Sequence, residues 1–267
     1  MKKKLQPSGP DCLELFYKAL DRLRGKQGKI TFSELEEKAS MLPKRGVYFI
    51  FDPNEKRLRN PDQPRCVRVG THAVSRGSKS TLLTRLLAHR GKLDHGGSHR
   101  ASVFRRHVGA ALLKRGFRGP VPSWGSRHAR PGVREKEQRL EEAVSRRIGK
   151  MQILWIAVPG KSEPGSDRSF IERNSIRLLN GQTGPFDSPK GNWLGRKSTD
   201  KKIRESGLWN VEHVDSSCHD GFLDTFGKYV DGTLGRRPLP ARPIAPRGWA
   251  STRRGAKRGR GEKADRG

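Results

Sequence analysis

Three short apolar stretches, each rich in β-branched or aromatic residues, most constrain the fold of this chain. They cover residues 46–51, 66–70 and 151–158, and polar segments bound each of them. Stretches of this length and composition are typical of buried β-strands. The segment between the first two, residues 52–64, is polar and contains three prolines, which predicts a hairpin connection.

Helical patterns flank these strands. Candidate helix starts are Asp11, Ser80, Asp167 and the pair Ser33 and Glu36, whose spacing is that of a capping box. The predicted helices lie at about residues 11–25, 33–42, 80–89, 101–114, 134–149 and 167–179. Strands grouped in this way, without regular alternation with helices, favour an α+β fold with a small mixed or antiparallel sheet of about three strands flanked by helices.

Composition divides the chain into three predicted segments. Residues 1–43 form an N-terminal helical extension, and residues 44–231 form the central domain, with an insertion around 91–150. Residues 232–267 are rich in Arg, Gly and Pro and show almost no apolar periodicity. Such a composition cannot bury enough apolar surface to fold, so we expect a disordered basic tail.

The charge of the chain is unusually one-sided. It has 57 lysines and arginines against 27 aspartates and glutamates, a net charge of +30 over 267 residues. Self-repulsion of this size weakens a compact state unless a polyanion offsets it, so nucleic acid or an acidic surface is the expected partner. The charge alone does not distinguish DNA from RNA.

Several other classes of protein do not fit the sequence. No uninterrupted apolar run approaches the roughly 20 residues of a membrane-spanning helix. The basic start is followed by Pro, Gly and Asp where a signal peptide has its apolar stretch, so export is not expected. The three cysteines are widely spaced, which suggests neither a disulfide framework nor a metal clip. We therefore expect a cytoplasmic protein.

Four short motifs follow one another in the chain. They are Gly46-Val47-Tyr48 on the first strand, Arg68-Val69-Gly70 on the second, Arg85 with His89 four residues later, and Glu172 on a later helix. In this order, over about residues 44–181, the chain resembles the GIY-YIG nuclease superfamily. Arg85 followed by His89 is similar to the restriction-endonuclease branch, and a long insertion separates the Arg and Glu helices.

The resemblance implies a role for each motif residue. Tyr48 is the expected general base, Arg85 and His89 are expected to bind the scissile phosphate, and Glu172 is expected to hold one Mg²⁺ or Mn²⁺. The residue types suit this chemistry, because a guanidinium matches phosphate oxygens and a hard cation prefers carboxylate and water oxygens. A free phenol titrates near pH ~10, so Tyr48 needs positive charge beside it.

The sequence departs from the family pattern at one position and matches it ambiguously at another. Arg68 stands where the second motif has a tyrosine, and we expect it to bind substrate. The family asparagine that follows the metal-binding Glu matches either Asn180 or Asn192; Asn180 is also a good helix cap before Gly181.

Each of these residues also has a purely structural interpretation. Glu172 and Arg85 suit exposed helix positions, His89 suits a helix end, and Tyr48 suits the core of a sheet. Five of the eight histidines, His89, His95, His99, His107 and His128, lie within forty residues. Their spacing matches no zinc motif, so solvated or phosphate-contacting histidines are favoured.

The sequence therefore predicts a Mg²⁺- or Mn²⁺-dependent endonuclease that hydrolyses DNA phosphodiester bonds. The alternative is a non-catalytic nucleic-acid-binding protein that retains the GIY-YIG scaffold. This alternative is favoured by Arg68, which replaces the tyrosine of the second motif, and by the Arg/Gly-rich tail. A third class, association with RNA through basic surface alone, fits the same charge.

Overall fold

The structure, a computed structural model, describes residues 9–180, 187–214, 218–246 and 249. Its strands are β1 (Ile30–Thr31), β2 (Gly46–Lys56), β3 (Pro64–Thr71) and β4 (Gln152–Ala157). Its helices are α1 (Gly9–Gln27), α2 (Leu82–Arg90), α3 (Val103–Lys114), α4 (Pro131–Gly149), α5 (Asp167–Leu179), α6 (Lys201–Ser206) and α7 (Phe222–Thr233). The predicted α+β class is confirmed.

One antiparallel sheet organises these elements, with the strand order β1-β4-β2-β3. Strand β2 lies in the middle, where Tyr48 pairs with Gly70 on β3 and with Trp155 on β4. The predicted hairpin between β2 and β3 is confirmed. The two-residue strand β1 is an addition that is too short to give a sequence pattern.

Alternate residues of β2 point to opposite layers of the core. Val47, Phe49 and Phe51 belong to a cluster with α1, α5 and α7, whereas Tyr48 and Ile50 belong to a second cluster with α2, α3 and α4. Both faces of the sheet are thus covered, which explains why β2 is apolar on both sides. Helices α3 and α4, from the predicted insertion around 91–150, build most of the second layer.

The N-terminal helix is part of this core. In α1, Phe16 is fully buried, and its ring centroid lies 4.9 Å from that of Phe226 on α7. Burial of one such side chain stabilises a fold by about 1.5–3 kcal/mol. Helix α7, with Phe222, Phe226 and Val230 on one face, has a regular helical spacing that the sequence analysis overlooked.

The predicted short helix at 33–42 is wrong. The chain forms turns followed by a 3₁₀ segment, Ala39–Met41. The capping pair is Thr31 with Glu34, because Glu34 Oε2 accepts hydrogen bonds from the Thr31 backbone N–H at 2.8 Å and the Thr31 hydroxyl at 2.7 Å. The Ser33 hydroxyl instead donates to the carbonyl of Gly149.

Two predicted helix caps are displaced by one residue. Thr81, not Ser80, caps α2 in a capping box with Thr84, and Ser166, not Asp167, caps α5. The Asp167 carboxylate is used elsewhere, since it accepts the Tyr229 hydroxyl at 2.6 Å. At α5, this tertiary contact of Asp167 leaves the cap to the adjacent serine.

Residues 232–246, the first part of the predicted tail, pack on the domain. Leu239, Ile244 and Ala245 lie against the first core cluster. The backbone N–H groups of Ile244 and Ala245 donate to Asp167 at 2.8 and 3.1 Å. Periodicity missed this segment because its apolar residues are irregularly spaced. Residues 247–248 and 250–267 lie outside the described residues, and the three predicted segment boundaries stay predictions.

The outer edge of β3 is covered. The backbone N–H of Trp209 donates to the Val67 carbonyl at 2.8 Å. The side-chain amide of Asn210 accepts the backbone N–H of Val69 and donates to the Val69 carbonyl. This coverage satisfies edge groups that would otherwise pair with another chain. Within the described ranges, no helix is both long and apolar enough to cross a membrane.

Buried histidines make the stability of this fold depend on pH. Burial lowers the pKa of His72 and of His107 to about 4, with nearby arginines adding to the effect. Both rings are neutral in the folded chain, whereas the unfolded chain binds protons on them below about pH 6.5. These two groups therefore make the free energy of unfolding fall as pH decreases from about 6.5 towards 4.

We predict that His107→Gln reduces this acid sensitivity. Between about pH 7 and pH 5, the variant should lose about 1–2 kcal/mol less unfolding free energy than the wild type. Urea unfolding at both pH values measures the difference, and His128→Gln, at an exposed position, is the matched control. Equal losses in all three proteins would contradict the assignment.

Candidate active site

Two glycines fix the position of Tyr48. The tyrosine ring lies across Gly70 so closely that a Cβ at residue 70 would be 2.1 Å from the Tyr48 hydroxyl oxygen. A Cβ at residue 46 would lie 2.2 Å from the Ile156 carbonyl oxygen on β4. A side chain at position 70 would displace the Tyr48 ring, and one at position 46 would displace the backbone of β4. The two motif glycines thus allow β3 and β4 to approach β2 where its tyrosine is held.

His89 connects Tyr48 to the next layer of helices. The Tyr48 hydroxyl lies 2.6 Å from His89 Nε2, and His89 Nδ1 lies 2.7 Å from the hydroxyl oxygen of Ser102. Ser102 caps α3, and its oxygen also accepts the Arg105 backbone N–H at 3.2 Å. A neutral imidazole donates at one nitrogen and accepts at the other. The three side chains therefore form a continuous hydrogen-bonded chain.

Burial lowers the pKa of His89 well below its usual value. The ring is fully buried, and the charges of Arg68, Arg85 and Arg105 lower the pKa further. Each of these effects disfavours the imidazolium form. His89 is therefore neutral near neutral pH and has one nitrogen that can accept a proton.

Glu172 lies in the same region, half-buried on α5. Its Oε1 accepts the Thr71 backbone N–H at 3.1 Å, and its other oxygen has no partner within the part of the chain described. Burial raises the pKa of this carboxyl, while Arg68, the Thr71 N–H and Arg85 oppose the rise. A divalent cation would also favour the ionised form. One carboxylate with a free oxygen suits Mg²⁺ or Mn²⁺, which keep most of their waters.

Arg68 is held rigidly beside this group. Its guanidinium donates to the Trp209 carbonyl at 2.6 Å and lies over the Phe104 ring, 5.0 Å from the centroid. The side chain is 8% exposed. Its charge acts on both His89 and Glu172, so the residue that replaces the second motif tyrosine brings a fixed cation to the site.

Arg85 lies one turn before His89 on α2. It is half-buried, and its Nε has no hydrogen-bond partner among the described residues. Its charge lowers the pKa of His89 and opposes the rise at Glu172. A cation so placed, with donors left over, can take an anionic ligand such as a phosphate.

The two candidate asparagines are not brought to this group. Asn180 caps the far end of α5, about 12 Å along the helix axis from Glu172, and its amide donates to the Val214 carbonyl. Asn192 is exposed and lines a separate cleft with Asp52 and Arg147.

Sequence reasoning missed Ser102 and Thr71. Ser102 carried a signal, because serine directly before a helical pattern is a common cap. Thr71 acts through its backbone N–H, which no side-chain pattern indicates.

The clustered histidines do not share a metal site. Within the described ranges, no group of three or more His, Cys, Asp or Glu side chains is placed to hold a metal ion. His99 lies 2.9 Å from Glu141 in a buried ion-pair network with Arg105, and His95 is exposed. Among the residues grouped around Tyr48, Glu172 is the carboxylate that could act as a ligand to a divalent cation.

The comparisons with known proteins give one match. A family model described as the GIY-YIG domain matches residues 10–235. Neither the curated proteins nor the solved structures give a significant match. The matched region includes α1, all four strands and α7.

We predict that Gly70→Ala disrupts the site. The added Cβ has no room beside the Tyr48 hydroxyl, so the free energy of unfolding should fall by about 1–3 kcal/mol, as for other overpacked positions. Gly227→Ala is the matched control, since nothing lies within 4 Å of a Cβ there. Urea unfolding measures both variants, and equal stability would show that the close approach is not maintained.

Proposed function

The chain belongs to the GIY-YIG domain family, and on that premise we propose that it is a metal-dependent endonuclease that hydrolyses DNA phosphodiester bonds. The observation that carries the proposal is the 2.6 Å contact between the Tyr48 hydroxyl and His89 Nε2. The charges of Arg68 and Arg85 act on His89 in this pair and on Glu172. Hydrolysis of a phosphodiester needs a proton acceptor, cations for the phosphate and charge stabilisation of the leaving oxygen.

In this proposal Arg85 and Arg68 bind the scissile phosphate. Arg85 has a free donor, and Arg68 is held by Trp209 so that its charge is pre-organised. Fixed cations stabilise the transition state more than mobile ones because they need no reorganisation when charge develops. The net charge of +30 favours any polyanionic substrate, and the phosphate contacts do not select a base sequence.

Tyr48 and His89 move the proton of the attacking water. Tyr48 accepts this proton as its own passes to His89 Nε2, while Nδ1–H donates to Ser102. Arg68 and Arg85, which add to the effect of burial on the pKa of His89, pair with the phosphate once substrate binds. Their effect on the pKa of His89 then weakens, and the ring becomes more basic when it must accept the proton.

Glu172 holds the divalent cation in this scheme. Its Oε1 keeps the Thr71 hydrogen bond, and its other oxygen is available as a ligand. A bound Mg²⁺ or Mn²⁺ would act as a Lewis acid toward the phosphate and would add to the positive charge of the two arginines.

A second candidate function is nucleic-acid binding without catalysis. Arg68 favours it, because a buried cation replaces the second motif tyrosine and donates to the Trp209 carbonyl. On this alternative Tyr48 and His89 are packing residues, and the arginines serve only to bind phosphate.

We predict that Glu172→Gln abolishes cleavage and keeps DNA binding. With supercoiled plasmid and Mg²⁺ or Mn²⁺, nicking should fall by about a hundredfold or more, because the cation ligand is lost. Glu135→Gln, at an exposed position on α4, is the control, and EDTA should abolish cleavage by the wild type. A wild type that retards plasmid but never cuts it would favour the second candidate.

We predict that Tyr48→Phe lowers the single-turnover cleavage rate by about 10²–10⁴-fold, the usual contribution of a general base. Tyr229→Phe is the matched control, since it removes a buried hydroxyl that bonds to Asp167 instead. Gel retardation in EDTA should give similar DNA affinity for both variants. Equal cleavage rates in the two variants would remove Tyr48 from the proton path.

A further inference from the structure

A basic cleft opens beside the candidate active site. Its volume is about 810 Å³, and it lies between the segment before β2, the loop after β3 and the loop after β4. Its wall contains no Asp or Glu among the described residues. Five cations line it: Lys44, Arg45, Arg76, Lys79 and Lys161.

The walls of this cleft are fixed by hydrogen bonds. Arg168 is fully buried and donates to the Val158 carbonyl at 2.9 Å, the Lys161 carbonyl at 2.7 Å and the Ala73 carbonyl at 3.3 Å. It therefore ties the loop after β4 to the loop after β3. The Ser162 hydroxyl adds a second tie by donating to the Ser78 carbonyl at 2.8 Å.

Three structural connections link the cleft to the candidate active site. The Lys44 carbonyl accepts the Leu82 N–H at 3.1 Å, at the start of the helix that carries Arg85 and His89. The same carbonyl lies 3.2 Å from His72 Nε2. Arg168 and Glu172 are four residues apart on α5 and so lie on the same face of that helix.

The five cations have no ionic partner among the residues that the structure describes. None of them forms a salt bridge within the described part of the chain, and Arg45 donates only to the Gly160 carbonyl, at 2.5 Å. Lys44, Arg76, Lys79 and Lys161 are exposed. Unpaired like charges around one cleft repel one another, so an anion there would relieve their repulsion.

The lining also limits the kind of anion. A volume of about 810 Å³ is much larger than one phosphate needs. Among the described residues, the cleft has no aromatic lining side chain on which a base could stack. Lysines bind phosphates as point charges without selecting geometry. These features fit several consecutive phosphates of a nucleic-acid backbone.

We propose that this cleft binds the DNA backbone beside the scissile phosphate and contributes affinity without sequence readout. The inference rests on the proposed function, because it takes the site of cleavage to be at Tyr48 and Glu172. It assigns a separate task to Arg76, Lys79 and Lys161, which are outside the proposed catalytic group.

The test compares two triple variants of the full chain. The cleft variant carries R76Q, K79Q and K161Q, and the control carries K18Q, K136Q and K201Q, at exposed positions on α1, α4 and α6. Both lose three positive charges. Binding to a short fluorescent DNA duplex is measured by anisotropy in EDTA, over a range of NaCl concentrations, and circular dichroism checks that both variants are folded.

The cleft variant should lose about tenfold or more affinity relative to the control. Its slope of log K against log salt should fall by about 2–3, since each lost phosphate contact contributes about 0.9. Equal affinities and slopes in the two variants, or no DNA binding by the wild type, would overturn the proposal. This assay measures binding and not cleavage. Failure of the cleft proposal would therefore appear as equal affinities of the two triple variants, whereas failure of the proposed function would appear separately, as a lack of plasmid cleavage.

Discussion

The close contact between Tyr48 and Gly70 is the constraint on which the site depends. It requires β2 and β3 to pair in one register, because a shift of one residue would turn Tyr48 to the other face of the sheet. The same register places Arg68 on the face of Gly70 and lets Thr71 reach Glu172. The sheet pairing thus sets the positions of the general base candidate, one cation and the carboxylate together.

Uneven charge is the second constraint. Burial keeps His89 neutral, and the charges of Arg68, Arg85 and Arg105 add to this effect. Burial raises the pKa of Glu172, and Arg68 and Arg85 oppose that rise. Two other buried cations have a carboxylate partner, as Arg105 has Glu141 and Arg65 has Glu55. Because a cation removed from water without a counterion is costly, an anionic ligand beside Arg68 and Arg85 would offset part of this cost.

The sequence predicts the framework well and the contacts only partly. The runs at 46–51, 66–70 and 151–158 give the three main strands, because burial on both faces leaves a continuous apolar signal. The contact of Tyr48 with His89 follows from the motif order but not from any spacing. The contacts of Thr71 and Ser102 and the hydrogen-bond partner of Asn180 depend on which distant group lies nearest in the folded chain. The same holds for the helix cap at Ser166.

Helix α5 joins the site to its surroundings. Within six residues it carries Asp167, which anchors Ile244 and Ala245, Arg168, which ties the two cleft loops, and Glu172. The three side chains belong to one helix, so the separations of their Cα atoms are fixed by helix geometry. A displacement of α5 would move the Glu172 carboxylate, the two cleft loops and the C-terminal segment together. Helix α5 therefore fixes the position of the candidate active site relative to the basic cleft. The proposed binding of one nucleic-acid backbone to both requires such a fixed relation.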